Sequence, residues 1–392
     1  MQKEIRRTIL KGLQRVVIKM GSSVIAHRKK GKSPGPGGLN EEMVRHYAKK
    51  IAGIVGDGCE VVLVSSGAIM AGRERLKLNR PQLSIPQKQA CAAIGQSFLM
   101  HAYEKKFDEC GLKVAQILLS SDDLGNRRRY LNARHTIEAL LEHKVIPIIN
   151  ENDSVTVDEI KIGDNDTLSA TVASLVGAQL LIILSDVDGL YSRDPSLPVK
   201  KGVSPARLIS LVRRVTREVE MIAGKSRNLV TVGGMITKVM AAKKTLSSGI
   251  PTLLVNGLDL EVIDKVFAGE EVGTLFWSGK GKIRDRKHWI AHTLKPAGTI
   301  TVDEGAKKAL VHRGKSLLAA GVIAVEGRFE FGNAVCIVDE KNEEIGRGLI
   351  NYNIRDLDKI MGMKTAEVRK MVGNSFYEEV IHRDDLVILD ES

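Results

Sequence analysis

The strongest constraint on the fold of this chain is a recurring pattern: short apolar runs rich in β-branched residues, separated by longer stretches of helix-forming composition. The runs are Arg15 to Lys19, Val61 to Val64, Val114 to Leu118, Val145 to Ile149, Leu180 to Leu184 and Thr252 to Val255. Runs that are apolar on both faces are buried on both faces, which is the condition of a strand inside a parallel sheet covered by helices. Lys88 to Phe107, Tyr130 to Leu141 and Thr237 to Ser247, the last ending before Gly249 and Pro251, supply the helices. The expected fold is therefore α/β, an open and mainly parallel sheet sandwiched by helices.

After Phe276 the pattern changes. Ser278 to Arg286 is polar and rich in Gly, Lys and Arg, and beyond Pro296 short strands (Val322 to Val325, Ala334 to Val338, Leu386 to Leu389) alternate with small helices. At roughly 100–200 residues per domain, 392 residues accommodate this division. The expected domains are 1–281, a linker over 282–295, and a small, mostly β domain over 296–392. Arg28 to Gly38, rich in Lys, Pro and Gly, reads as an exposed, mobile loop.

The longest apolar run, Ala178 to Leu184, is interrupted by Gln179 and falls far short of the ~20 residues of a membrane helix. No apolar stretch with a small-residue cleavage site follows the charged N-terminus, so a cytoplasmic location is expected. The four cysteines, Cys59, Cys91, Cys110 and Cys336, show no CxxC and no metal-ligand spacing, and read as buried thiols. Charge is uneven. Through Lys295 there are 46 Lys and Arg against 30 Asp and Glu, a net of +16; from Pro296 onward there are 13 against 17, a net of −4. The basic part suits nucleic acid, nucleotides or other small anions alike.

In an open parallel sheet, ligands gather at the carboxyl ends of the strands. There the first run ends in Lys19-Met20-Gly21-Ser22-Ser23, a cation and a small-residue turn, and the second in Ser65-Ser66-Gly67 before a helix of small residues. Asn150-Glu151-Asn152-Asp153 puts polar groups where a buried strand surfaces, and Lys161-Ile162-Gly163-Asp164-Asn165-Asp166 precedes a helix over Thr167 to Val176. Asp164 or Asp166 alone suits an N-cap, but three polar residues in a row exceed capping needs. Ser185-Asp186-Val187-Asp188-Gly189-Leu190-Tyr191, with Arg193-Asp194-Pro195, makes a turn able to hold a base or ribose. Gly233-Gly234-Met235-Ile236-Thr237-Lys238 joins a glycine loop, a helix start and a lysine, the parts of a phosphate site. It is not a Walker loop. Neither is Gly314-Lys315-Ser316, where Ala309 occupies the place of that loop's first glycine.

In order and wording, Val17 to Ser23, Val64 to Ile69, Ile149 to Asp153, Ile162 to Asp166 and Ser185 to Tyr191 resemble the amino acid kinase family, and within it the members that phosphorylate the side-chain carboxylate of glutamate. Ile300 to Ala306 and Gly314 to Leu318 are similar to a PUA domain. The resemblance implies transfer of the ATP γ-phosphoryl group, with Mg2+, to L-glutamate, giving L-glutamyl 5-phosphate at the start of proline synthesis. It assigns Lys19 and Lys238 the cationic catalytic role with Asp166 holding them. Ser66, Asp153 and Asn165 then bind glutamate, with Asp153 suited to the α-ammonium. Lys19, Ser185, Asp186, Gly233, Gly234, Met235, Thr237 and Lys238 fall on nucleotide-binding positions, and no residue is assigned as a metal ligand. Thr231 and Val232 stand where the family usually has Gly-Thr, which removes a hydroxyl from the phosphate loop; Met20 and Ile236 are also less usual.

The resemblance further implies feedback inhibition by L-proline, hand-over of the acyl phosphate to a glutamyl phosphate reductase, a homo-oligomer built through the kinase domain, and no membrane partner. The competing readings are another kinase of the fold, acting on acetylglutamate or aspartate among other substrates, and an RNA-binding protein acting through its PUA-like domain. The net charge of −4 on that domain opposes RNA.

Overall fold

The computed structural model describes residues 2–28, 36–78, 82–125, 127–155, 165–195, 204–224, 234–279, 296–372 and 377–388. The chain divides into two compact units, one comprising residues 1–126 and 132–280, the other 127–131 and 281–392. Ile162 to Asp164, Thr231 to Gly233 and the expected linker 282–295 lie outside the described residues.

In chain order the first part of the fold is α1 (Gln2–Leu10), β1 (Arg15–Met20), β2 (Ala26–Arg28), β3 (Pro36–Leu39), α2 (Glu41–Gly56), β4 (Glu60–Ser65), α3 (Ala68–Arg75), α4 (Ile85–Asp108) and β5 (Lys113–Leu119). It continues through α5 (Ser121–Gly125), α6 (Arg127–Glu142), β6 (Val145–Glu151), α7 (Asn165–Leu175), β7 (Leu180–Ser185), β8 (Leu211–Val212), α8 (Arg217–Gly224), α9 (Met235–Ser247), β9 (Thr252–Asn256), α10 (Val262–Phe267) and β10 (Thr274–Phe276). All six expected strands are present, as β1, β4, β5, β6, β7 and β9.

They form one sheet in the order β5-β6-β4-β1-β7-β9-β10-β8. It is parallel from β5 to β9, with β10 antiparallel to β9. Val16, Val17 and Ile18 of β1 are fully buried, as a central strand covered on both faces must be. From β1 the chain forms β4 on one side and later β7 on the other, so the crevice for a ligand opens at the carboxyl end of β1, beside Lys19.

Local chemistry sets several element ends. The chain enters α3 through Gly67, whose φ of +110° disfavours a side chain. α4 starts earlier than its composition suggests because Ser84 and Gln87 form a capping box, with a proline at the first turn. α3 and α4 pack backbone to backbone: a Cβ on Gly72 would lie 1.8 Å from the Cys91 carbonyl, and one on Gly95 1.8 Å from that of Ala68.

Three sequence expectations need correction. α7 begins at Asn165 rather than at Thr167, so Asp166 lies in its first turn, with its carboxylate drawn by cations. Part of the expected loop from Arg28 to Gly38 is a ribbon: 36–38 belong to β3, paired with β2, and Leu39 is buried in the core. The pairing overrides the low strand propensity of Pro-Gly-Gly. Cys59 and Cys91 are buried, but Cys110 and Cys336 only half-buried.

The second part contains β11 (Gly298–Val302), α11 (Glu304–Arg313), β12 (Leu317–Leu318), β13 (Val322–Gly327), β14 (Ala334–Val338), β15 (Glu344–Leu349), α12 (Ile354–Ile360), α13 (Thr365–Val372), β16 (Glu379–Ile381) and β17 (Leu386–Ile388). Its main sheet runs β13-β11-β14-β15-β17 over a core that includes Ile300, Val335, Ile337 and Leu357. Gly314 ends α11 with a left-handed φ of +56°, so Gly314-Lys315-Ser316 leaves a helix instead of opening one, the reverse of a phosphate loop. Among the described residues no helix is long and apolar enough to cross a membrane.

Candidate active site

Two linked clusters occupy the carboxyl end of the sheet. The first is built on Asp166. Its Oδ1 lies 2.7 Å from Lys19 Nζ, from β1, and its Oδ2 3.1 Å from Lys238 Nζ, from α9. Thr237 Oγ1 donates to the same Oδ2 at 2.7 Å. Lys19 and Lys238 are each 6% exposed and Asp166 1%. Burial by itself would raise the Asp166 pKa. The charges of Lys19 and Lys238, with hydrogen bonds from Lys19 and Thr237, outweigh it and hold the carboxyl well below the usual range. Two cations thus converge on one carboxylate in a place nearly closed to water, and cations of this kind are what a phosphoryl group needs.

The neighbouring Asn165 carries the second cluster. Its Nδ2 reaches the Ser65 carbonyl at 2.9 Å, Ser66 Oγ at 2.8 Å and Asn150 Oδ1 at 2.9 Å. Asn150 Nδ2 donates in turn to Gln96 Oε1 at 2.7 Å. Below Ser66, Tyr103 Oη sits 2.8 Å from Ser65 Oγ and donates to Met20 Sδ at 3.5 Å. Burial pushes this phenol up to about 12, so Tyr103 stays neutral and ties β4 to β1 just behind the site.

The other predicted residues lie at the same sheet end. Asp153 is half-buried, two residues beyond β6. Ser185 closes β7 and donates to Asp186 Oδ1 at 3.3 Å. The following turn is braced by Asp188, which accepts from Asn256 Nδ2 and from the Tyr191 hydroxyl, each at 2.8 Å. Gly234 is the N-cap of α9 without a side-chain cap, and Met235 is its first helical residue. Gly233 lies outside the described residues. Sequence reasoning brought forward neither Gln96 nor Tyr103; the available signal was a polar residue on the buried face of a helix, among Cys91, Ala92, Gly95, Leu99 and Ala102.

The fold and this strand-end site define an α/β phosphotransferase domain followed by a small β-rich domain. Residues 14–256 match the amino acid kinase family and residues 298–372 the PUA domain. Over 385 residues the chain is 49% identical to Glutamate 5-kinase of Geobacter sulfurreducens, covering 98% of this chain and all of the relative. It is 48% identical to Glutamate 5-kinase of Trichlorobacter lovleyi over 99% of this chain and all of that one, and 46% identical to that of Thermoanaerobacter pseudethanolicus over 96% and 98%. Among solved structures, UMP kinase from Bacillus anthracis is similar with a TM-score of 0.43 at 17% identity, covering 68% of this chain and 97% of that one. The chain belongs to the amino acid kinase family, and within it to the glutamate 5-kinases that carry a C-terminal PUA domain.

Proposed function

We propose that this chain transfers the γ-phosphoryl group of ATP to the side-chain carboxylate of L-glutamate, forming L-glutamyl 5-phosphate as the first step of proline biosynthesis, and that the first unit carries the chemistry. The observation that carries phosphoryl transfer is the buried Lys19–Asp166–Lys238 cluster. The near full-length relatives support glutamate as the acceptor.

The acceptor needs no general base, because a glutamate side chain with a pKa of about 4.3 is already an ionised nucleophile at neutral pH. The site has to position two anions and neutralise charge as it spreads over the phosphoryl oxygens. In this reading Lys19 and Lys238 face those oxygens, and Asp166 fixes both ammonium groups before substrate arrives, so little reorganisation is left for the reaction. Thr237 braces Asp166 from the start of α9, whose first N–H groups, with Gly233, Gly234 and Met235, face the phosphates. Ser185 and Asp186 hold the nucleoside end. Ser66, Asp153 and Asn165 hold glutamate, with Asp153 against its ammonium.

Mg2+ is proposed to arrive on the phosphates of ATP, where it would supply further charge neutralisation. Mg2+ is commonly held by one or two carboxylates together with the phosphates of its nucleotide. Feedback inhibition by L-proline over the glutamate site, hand-over to a glutamyl phosphate reductase and a homo-oligomer built through the first unit belong to the same reading, as does a cytoplasmic location.

ATP turnover measured with L-glutamate, N-acetylglutamate and L-aspartate, each with and without L-proline, tests it. L-Glutamate is expected to drive turnover and L-proline to suppress it. Preferential turnover with N-acetylglutamate or L-aspartate overturns the assignment of the acceptor.

A further inference from the structure

The polarity of the amide chain Gln96–Asn150–Asn165 is dictated by two backbone groups that cannot turn over. The Ser65 carbonyl accepts from Asn165, so Asn165 must present its NH2 to β4; the Glu151 N–H donates to Asn150 Oδ1 at 2.9 Å, so Asn150 must present its oxygen there. Asn150 Oδ1 then receives Asn165 Nδ2, and Asn150 Nδ2 must find an acceptor elsewhere. Gln96 Oε1 is that acceptor. As a result Asn165 Oδ1 is buried and has no hydrogen-bond partner among the described residues. A buried acceptor left open costs stability unless something fills it. Of the polar groups of L-glutamate at neutral pH, both carboxylates only accept, and the α-ammonium alone donates.

We propose that Gln96 is a positioning residue: acting through Asn150, it holds the Asn165 carbonyl oxygen toward the substrate and so favours an acceptor molecule with a free α-ammonium. This rests on the functional reading above and adds to it a residue from α4, outside every strand-end segment. Gln96 is 9% exposed and is carried to this point by the close packing of Gly95 on Ala68. Without its oxygen, Asn150 Nδ2 loses its acceptor and Asn150 can shift, so Asn165, whose polarity the Ser65 carbonyl still sets, is held less firmly in place.

The discriminating probe is glutarate, which keeps both carboxylates of glutamate and lacks the amino group. In Gln96→Met, which keeps the length of the side chain and removes the acceptor, the KM for L-glutamate is expected to rise about tenfold, the scale of one lost hydrogen bond. The KM for ATP and the inhibition constant of glutarate against L-glutamate should stay within about twofold. Gln96→Glu, which keeps an acceptor oxygen toward Asn150, should recover most of the affinity for L-glutamate, and it carries the test by itself if the methionine variant does not fold. An unchanged KM for L-glutamate in Gln96→Met, an equal loss for glutarate, or a Gln96→Glu variant as impaired as Gln96→Met overturns the proposal. Absence of glutamate-dependent ATP turnover in the unaltered chain instead overturns the functional reading beneath it.

Discussion

Each unit contains a nearly buried aspartate that meets lysine, and the two are matched differently. In the second unit Asp339 takes one cation, Lys307 at 2.7 Å, and its other oxygen accepts from the backbone N–H groups of Lys341 and Glu343, so charge is balanced and a turn is tied. In the first unit Asp166 faces two lysines and the Thr237 hydroxyl. A one-to-one pair is explained by structure alone. Two lysines brought onto one buried carboxylate cost desolvation energy, and that cost is reasonable where a phosphoryl group is to be handled.

Removing the buried acid breaks this contrast most severely. Asp166→Asn leaves two buried ammonium groups facing an amide and is expected to cost about 3–5 kcal/mol of stability at neutral pH, together with most activity. Because the folded-state pKa of Asp166 is depressed, its stabilising effect is present above the unfolded value of about 3.9 and is lost as pH falls below it. In thermal melts the gap between the unaltered protein and Asp166→Asn should therefore be widest near pH 7 and narrow below about pH 4. A gap independent of pH contradicts the charged assignment.

Next in size are the lysines. Lys19→Ala and Lys238→Ala are each expected to lower kcat by about 10²-fold or more, the scale of losing an oxyanion-type donor. Near-normal turnover in either variant removes that residue from the mechanism. Asp153→Ala should raise the KM for L-glutamate about tenfold or more while moving the KM for ATP far less, since an ammonium partner acts in binding before chemistry.

A chain ending near Lys282 should fold on the core of the first unit and keep glutamate-dependent ATP consumption within a few-fold, with changes confined to assembly, proline sensitivity or magnesium demand. The isolated segment 296–392, with its net charge of −4, should not hold structured RNA at micromolar concentration in physiological salt. An inactive but folded first unit, or tight RNA binding, sinks that division of labour. The smallest effect belongs to the matched pair: Lys307→Ala should leave kcat and both KM values unchanged, and a loss of turnover there would erase the distinction between the two aspartates.

The architecture was largely legible because strands buried on both faces announce themselves as unbroken apolar runs, as at Val61 to Val64 and Leu180 to Leu184. The two-residue β8 and three-residue β10 carry too little pattern to be read in advance, and β3, built from Pro-Gly-Gly-Leu, reads as loop because its pairing with β2 is a tertiary fact. Gln96, a polar residue among small and apolar ones, was passed over for a different reason. A glutamine inside a helix says nothing about direction until the helix is docked.

What the sequence by itself determined is therefore whatever is written in local pattern: the alternation of buried strands and helices, the change of character after Phe276, and the polar residues at strand ends that place Lys19, Ser66, Asn165 and Asp166 near a common edge. What only the tertiary structure decided is how those residues meet. Lys19 and Lys238 are 219 positions apart, and no local rule brings both to opposite oxygens of one carboxylate. The parallel part of the sheet does so, because it turns the carboxyl ends of β5, β6, β4, β1, β7 and β9 the same way and lets α7 and α9 lower Asp166 and Lys238 beside β1, where burial turns an ordinary ion pair into a charged site.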